Sequence, residues 1–419
     1  MTARAPSPAA RGHRFFAAFA HRSFRLWFAG QIVSLVGTWM QNMAQGWLVY
    51  QLTGSSLLLG TVGMCGSLPM LLFTLWGGVL ADRFPKRRIL IVTQVLLMLL
   101  AFALAALAAG PWIRFWHVLV VATLGGVVMA FDMPARQAIV IELVGEGDLM
   151  NAVALNSSVF NAARIVGPMV AGALLPVIQA WGCFLVNGIS FLAVLAGLLM
   201  MRHEERAVAQ SAVPLWRHAA EAFRYVRSQP ALTLLFAQLA VLGVFGWTYT
   251  VLMPVFADRV LRVGERGFGL LMAANGAGAL AASLTMATLR NEPRQRRVFI
   301  GMALFAAAQL FFTASRFLPL AMLFLAVAGW AMIIFFTTAN TLVQSTTPDA
   351  LRGRVMGIYS LTFTGTSPLG SLQAGLLADH FGAPVAVRVG ATVCLLSAFL
   401  SLALLPRVGP LTTRRQLPV

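Results

Sequence analysis

The residues best placed to do chemistry are three charged side chains inside long apolar runs. Asp132 and Arg136 lie four residues apart in the run before Glu142, and Arg164 lies in the next run. Residues four apart share one face of a helix. Ionisable groups inside a bilayer are costly and mark ion pathways or buried pairs. Asp132 therefore either binds and releases a proton or forms a permanent ion pair.

The depths of these charges predict which of them meet. At 1.5 Å per residue, Asp132 lies about 15 Å from Glu142 and Arg164 about 19 Å from Asn151. We therefore predict that Asp132 and Arg164 face one another, with Arg164 or Arg136 tuning the proton affinity of Asp132. In the alternative interpretation, the ion pair only holds helices together.

Polar and aromatic residues within the apolar runs are candidates for lining a substrate cavity. In the first run they recur at helical spacing: Gln31, Ser34, Thr38, Gln41 and Gln45, with Asn42 beside them. Lipid would penalise such a face, so it lines a cavity or a helix contact. Weaker cavity candidates follow later in the chain: Asn161, Trp247, Tyr249, Asn275, Trp330 and Asn340.

The composition indicates which elements hold these residues. The chain has 419 residues, 59% of them hydrophobic and 11% charged, with a mean hydropathy of +0.81. A soluble domain averages roughly 25% charged residues, so the solvent is lipid. The net charge of +18 sits in short breaks between apolar runs, which argues against nucleic-acid binding. Cys65, Cys183 and Cys394 have neither disulfide nor metal spacing, and we expect no metal and no cofactor.

Apolar runs of about 20 residues, enough to cross a bilayer, predict twelve membrane spans. They lie near 26–50, 56–81, 89–109, 115–141, 152–177, 181–201, 231–257, 267–289, 298–315, 318–345, 354–378 and 384–405. Of the 31 Lys and Arg residues, 24 lie on the side of the N-terminus and six lie in the opposite loops. The positive-inside rule then places both termini in the cytoplasm of a plasma (bacterial inner) membrane.

The two halves of the sequence repeat. Gly60 matches Gly269 at an offset of 209, and Gly172 matches Gly375 at an offset of 203. Parallel repeats of six spans predict an all-α membrane protein made of two pseudo-symmetric six-helix bundles. We expect an N-terminal tail at 1–22, bundles at 23–201 and 231–406, a linker at 202–230 with an amphipathic surface helix, and a C-terminal tail at 407–419. The mates of the three embedded charges are uncharged: Phe335, Ala339 and Ser367.

The segment after the second span resembles the signature of the major facilitator superfamily of membrane transporters, with Pro85 where glycine is usual. The resemblance implies a conformational latch in which Asp82 caps the N-terminal end of span 11, near Arg354. Such a contact would hold the halves together in the outward-facing state. The residues of this latch are Gly78, Asp82, Arg83, Arg87 and Arg88.

Span 5 carries a second resemblance. Gly167, Pro168 and Gly172 look like the antiporter motif of the superfamily, with Ala171 where a glycine is usual. The segments 24–41 and 131–168 are similar to the enterobactin-exporter-like branch, also described as transmembrane secretion effectors. This similarity covers essentially the whole chain. It implies export of siderophores, drugs or other small amphipathic molecules.

Together these features predict a secondary active transporter that exports small molecules by alternating access, with protons in antiport, and that works as a monomer. The fold also permits import by symport, and a non-transporting receptor or scaffold is a third interpretation. The sequence has no nucleotide-binding phosphate loop and no zinc-protease or serine-hydrolase motif. We therefore expect neither enzymatic activity nor direct use of ATP.

Overall fold

The computed structural model describes residues 16–201, 215–288 and 294–408, and this part of the chain is helical. The bounds of its long helices are Arg22–Thr53 (α1), Ser56–Arg83 (α2), Lys86–Ala109 (α3), Phe115–Met200, Pro230–Val260 (α7), Gly264–Thr288 (α8), Arg294–Ala314 (α9), Leu318–Thr346 (α10), Asp349–Phe381 (α11) and Ala383–Val408 (α12).

The longest helix is three spans joined without loops. Gly145 (φ 70°) and Gln179 (φ 57°) have left-handed backbone angles inside Phe115–Met200. A helix cannot continue through such a residue, so the chain reverses there and yields α4 (115–144), α5 (146–178) and α6 (180–200). With the nine other long helices this gives twelve long helical segments within the described residues, in the all-α arrangement that the hydropathy predicts.

The helices pack as two groups, α1–α6 and α7–α12. Between the groups, the helix Leu215–Ser228 occupies the place where the sequence predicts an amphipathic linker helix. It packs on the second group, where the Tyr225 hydroxyl donates to the carbonyl of Thr346 at 3.3 Å and Glu221 pairs with Arg354. The preceding linker residues, 202–214, lie outside the described residues.

The two groups touch along two seams, α2 against α11 and α5 against α8. A Cβ added to Gly60 would lie 2.9 Å from the Cα of Gly375, and one added to Gly172 would lie 2.8 Å from the Cα of Gly269. Only glycine permits this approach of two backbones. Because Gly60 is the repeat mate of Gly269 and Gly172 that of Gly375, the two contacts are copies of each other.

Both glycine contacts lie at one end of the molecule. We call the end where α1 begins the terminal end and the opposite end the distal end. At the distal end the Tyr50 hydroxyl donates to Asp258 at 2.8 Å, and the Ser55 hydroxyl donates to Asp379 at 3.1 Å. The indole of Trp47 donates to Glu265 at 3.2 Å. These bonds join the two groups.

The same helices separate toward the terminal end. A Cβ added to Gly78 on α2, or to Gly353 or Gly357 on α11, would meet nothing within 4 Å. Asp82, at the terminal end of α2, is exposed. The two groups therefore enclose a cleft that is closed at the distal end and open at the terminal end.

Replacing Gly60 with Ala should destabilise the protein, because the new methyl group must displace the backbone of α11. Overpacking costs about 1–3 kcal/mol, so the melting temperature in detergent should fall. Gly125→Ala on α4 is the control, since a Cβ there meets nothing within 4 Å. If both variants melt at the same temperature, the glycine contact is not as tight as described.

Candidate functional site

A buried polar cluster surrounds Asp132 within the first group of helices. The Asp132 side chain is 0% exposed, and its Oδ1 accepts bonds from the Thr93 hydroxyl at 2.7 Å and the Gln94 amide at 2.8 Å. Its Oδ2 accepts from Nε of Arg136 at 2.8 Å and pairs with Nη2 at 2.7 Å. Two neutral donors, Thr93 and Gln94, and one cation, Arg136, therefore stabilise a negative charge on this buried carboxylate.

Arg136 connects this cluster to α1. Its Nη1 donates to the Gln31 amide oxygen, and its guanidinium lies 5.6 Å from the centre of the Trp27 ring. The cluster thus joins α1, α3 and α4. Thr93 and Gln94 were not among the predicted site residues. Their signal in the sequence is two adjacent polar residues in an otherwise apolar run.

The expected meeting of Asp132 with Arg164 is wrong. Arg164 points to the seam between α5 and α8, where its Nη2 donates to the amide oxygen of Asn275 at 3.1 Å. Its guanidinium also lies 6.0 Å from the centre of the Trp39 ring. The two charges are at similar depth, but depth does not fix the direction in which a helix presents a side chain. Asp132 faces the interior of one group, whereas Arg164 faces the other group.

The predicted latch residues lie at the terminal end of α2 and the start of α3. Asp82, Arg83 and Arg88 are exposed. Arg87 donates through Nε to the carbonyl of Leu198 at 2.6 Å. Lys86, beside it, forms a 2.8 Å ion pair with Glu142. In this structure Asp82 therefore does not cap α11.

The glycine contacts define an antiparallel register between α2 and α11. Gly60 opposes Gly375, and a Cβ added to Gly365 would lie 2.9 Å from Cδ1 of Leu71. Continued to the terminal end, this register sets Gly78 opposite Gly357 and Asp82 opposite Gly353. Closure of the cleft along the same register would bring Asp82 to the first turn of α11.

The residues of the antiporter motif pack α5 on both sides. A Cβ on Gly167 would lie 2.9 Å from the carbonyl oxygen of Val36 on α1, and Gly172 touches Gly269 on α8. A Cβ on Gly269 would also lie 2.8 Å from the carbonyl oxygen of Pro168. The motif is therefore the place where α5 approaches both α1 and the second group of helices.

Several predicted cavity residues hold helices together instead. Gln31, 3% exposed, is bonded to Arg136, and the amide oxygen of Gln41 accepts from Asn187 on α6 at 2.7 Å. Asn275, 1% exposed, donates to the carbonyl of Leu325 on α10 at 3.1 Å. The Trp330 indole donates to Thr285 on α8 at 3.0 Å.

Five other predicted cavity residues are more accessible. Asn42 is exposed, and the remaining four are half-buried: Gln45, Asn161, Trp247 and Asn340. The amide of Asn161 donates to the carbonyl of Ser157 on its own helix, and the Trp247 ring lies 6.0 Å from that of Phe363. Within the described residues no group of His, Cys, Asp and Glu could hold a metal ion.

The sequence matches the family described as transmembrane secretion effector over residues 14–413. It is 25% identical over 375 residues to the staphyloferrin A transporter of Staphylococcus aureus, covering 85% of this chain and 90% of that protein. It is 29% identical over 357 residues to the multidrug efflux pump Tap of Mycolicibacterium fortuitum, covering 83% and 87% of the two chains.

Solved structures with the same fold include a peptide transporter in complex with alafosfalin, with a TM-score of 0.75, 13% identity and coverage of 94% and 96%. A bacterial homologue of the lysosomal transporter Spinster, in an inward-facing and occupied conformation, has a TM-score of 0.69, 13% identity and coverage of 96% and 99%. At this identity the likeness establishes the fold alone.

Removing Arg136 should destabilise the first group of helices, because Asp132 would keep a buried charge without its cation. Removing one partner of a buried ion pair costs about 3–5 kcal/mol, so Arg136→Gln should lower the melting temperature strongly. Combining Arg136→Gln with Asp132→Asn should recover much of the loss, since the double variant has no buried charge. Additive losses in this double-mutant cycle would contradict the ion pair.

Proposed function

We propose a function that starts from the family: this chain belongs to the transmembrane secretion effector family, a branch of the major facilitator superfamily, and is a multi-pass membrane transporter rather than an enzyme. From that premise we propose that it exports small amphipathic molecules by alternating access in exchange for protons. The observation that carries the proposal is the cleft between two repeat-related groups of helices, closed at one end and open at the other. The charge asymmetry of the loops supports cytoplasmic termini, which would make this form inward-facing.

Export is supported by two observations. The antiporter motif lies at the distal seam, where Gly172 packs on Gly269 and keeps that end closed while the cleft is open to the terminal end. The relatives include a multidrug efflux pump and a protein named as a Na⁺, Li⁺, K⁺/H⁺ antiporter from Planococcus maritimus, which is 24% identical over 320 residues. By analogy the substrates are siderophore-like or drug-like.

For the proton site we propose Asp132. Among the described residues it is the carboxylate that lies within a span, whereas the other acidic side chains are at helix ends or between helices. In the inward-open form Arg136, Thr93 and Gln94 stabilise its charge. A rearrangement that moves Arg136 away would favour protonation, because an unpaired buried carboxylate is costly. If a proton replaces Arg136 as the partner of Asp132 when the helices move, proton binding would be coupled to the conformational change and transport to the proton gradient.

The outward-open form would be held by the latch. Along the register of α2 and α11, closure brings Asp82 to Gly353 in the first turn of α11, where free N–H groups and the helix dipole favour an anion. The exposed position of Asp82 in the inward-open form is consistent with a contact that is made only in the other state.

Proton coupling can be measured with ethidium in inverted membrane vesicles, since its permanent charge prevents passive accumulation driven by pH. Acidifying the lumen should drive ethidium uptake by the wild-type protein. Asp132→Asn should abolish this uptake and leave ethidium binding measurable. Asp148→Asn is the control, because that carboxylate bonds His21 at the terminal end, outside the cluster.

Three results would count against the proposal. Uphill uptake by Asp132→Asn at the wild-type rate would exclude Asp132 as the coupling site. Uptake that requires the opposite gradient would indicate symport and import. A wild-type protein that moves none of a panel of cationic, neutral and anionic dyes would favour a receptor or scaffold.

The latch has its own test. Asp82→Asn removes a charge–dipole contact worth about 1 kcal/mol, so the outward-open population should fall by roughly fivefold and uptake should slow. Asp379→Asn, at the distal end of α11, should weaken the inward-open form instead, because its carboxylate bonds Ser55 there. Accessibility of a cysteine placed in the cleft should change in opposite directions in the two variants. A shift in the same direction would contradict the latch.

A further inference from the structure

Arg164 is a permanent cation at the seam between the two groups of helices. It is half-buried in the middle of α5, bonds the Asn275 amide and lies over the Trp39 ring. No carboxylate in the described residues forms an ion pair with it, although Asp132 in the same group of helices has its own arginine. A cation inside a membrane span is costly when no anion pairs with it, so the presence of an arginine at this position needs an explanation.

The repeat indicates that the fold does not need this cation. At the equivalent place on the other seam, the mate of Arg164 is Ser367 and the mate of Asn275 is Gly66. The α2–α11 seam therefore packs without a charged or amide bridge at this level. The polar pair is specific to the α5–α8 seam.

A buried hydroxyl group without a hydrogen-bond partner lies close to Arg164. Tyr249 on α7 is 0% exposed, and its hydroxyl has no hydrogen-bond partner in the part of the chain that the structure describes. It lies near both Arg164 and Asn275. The Asn275 amide already bonds Arg164 and Leu325, and the Tyr249 hydroxyl next to it forms no hydrogen bond with acceptable distance and angle. A buried hydroxyl left unbonded costs about 1–3 kcal/mol.

We propose that Arg164 and Tyr249 bind the carboxylate of the transported molecule, with Trp39 packing against its apolar part. The guanidinium would supply the paired donors that fit a carboxylate, and the Tyr249 hydroxyl would supply another. The site lies at the level where the cleft closes, so a ligand entering from the terminal end reaches it last. The inference rests on the proposed function and adds amphipathic carboxylates as a class of substrate that the protein binds preferentially.

Binding to the purified full-length protein distinguishes this site from simple helix packing. The probes are 1-pyrenebutyrate and its neutral amide, which share shape and apolar area, with affinity read from pyrene anisotropy. The wild type should bind the carboxylate about tenfold more tightly than the amide, the value of one charged hydrogen bond. Arg164→Gln should remove this preference and leave amide binding unchanged.

Two more conservative variants test the same site if Arg164→Gln folds poorly. Arg164→Lys retains the charge and should retain a preference for the carboxylate. Tyr249→Phe removes only an unbonded hydroxyl and should weaken carboxylate binding severalfold with no loss of thermal stability. Arg316→Gln, which removes an exposed charge between α9 and α10, should change nothing.

Equal affinity of the wild type for the two probes would overturn the proposal. Equal weakening of both probes by Arg164→Gln would do the same, because it would assign Arg164 to packing. Proton-driven transport of the amide separates this inference from the proposed function. If wild type and Arg164→Gln both pump the amide, the transporter assignment stands whatever the result with the carboxylate. If the wild type pumps neither probe nor any dye, the transporter assignment fails. In that case the binding preference still shows whether Arg164 forms a carboxylate site.

Discussion

The close approach of two backbones at the distal end, Gly60 to Gly375 and its repeat copy Gly172 to Gly269, is the contact on which the arrangement of the two halves depends. Backbones that meet without intervening side chains can rock about the contact with little change in packed volume. The hydrogen bonds of Tyr50, Ser55 and Trp47 to three carboxylates close the same end. Among the described residues, the glycines at the terminal ends of α2 and α11 make no such close approach, so the halves can move there as rigid units.

The helices of the two halves are related by the repeat, but three charges within the spans of the first half are not repeated in the second half. Asp132, Arg136 and Arg164 have uncharged mates in the second half, so the repeat accounts for the packing and not for the chemistry. The structure separates these charges into a closed cluster inside the first half and an open position at the seam. If Asp132 binds the proton and Arg164 the substrate, as we propose, the two would bind without direct competition, and the movement between the halves would couple them.

The sequence predicted the parts of the fold that hydropathy and duplication control. The twelve predicted apolar runs correspond to twelve long helices. The glycines that the repeat offsets paired as equivalent positions lie in the two seams, although the offsets did not predict which of them touch. The partner of Asp132 was predicted wrongly, since axial depth constrains a helix position and leaves its rotation open. Gln31 and Gln41 bond other side chains of the first group of helices, which is the helix-contact alternative that the polar stripe left open, because such a stripe avoids lipid equally well against another helix. The sequence offered Tyr249 only as a weak cavity candidate, because the lack of a hydrogen-bond partner for its buried hydroxyl can be seen only in the structure.

The most direct test of the account is the distance between the terminal ends of α2 and α11 in lipid nanodiscs. Spin labels at Gly78→Cys and Gly357→Cys, with Cys65, Cys183 and Cys394 replaced, report this distance by electron–electron double resonance. The account predicts two populations, a long distance matching the open cleft and a short one in which the labels oppose each other along the continued register. A single long distance, unchanged by pH and by a transported dye, would contradict it.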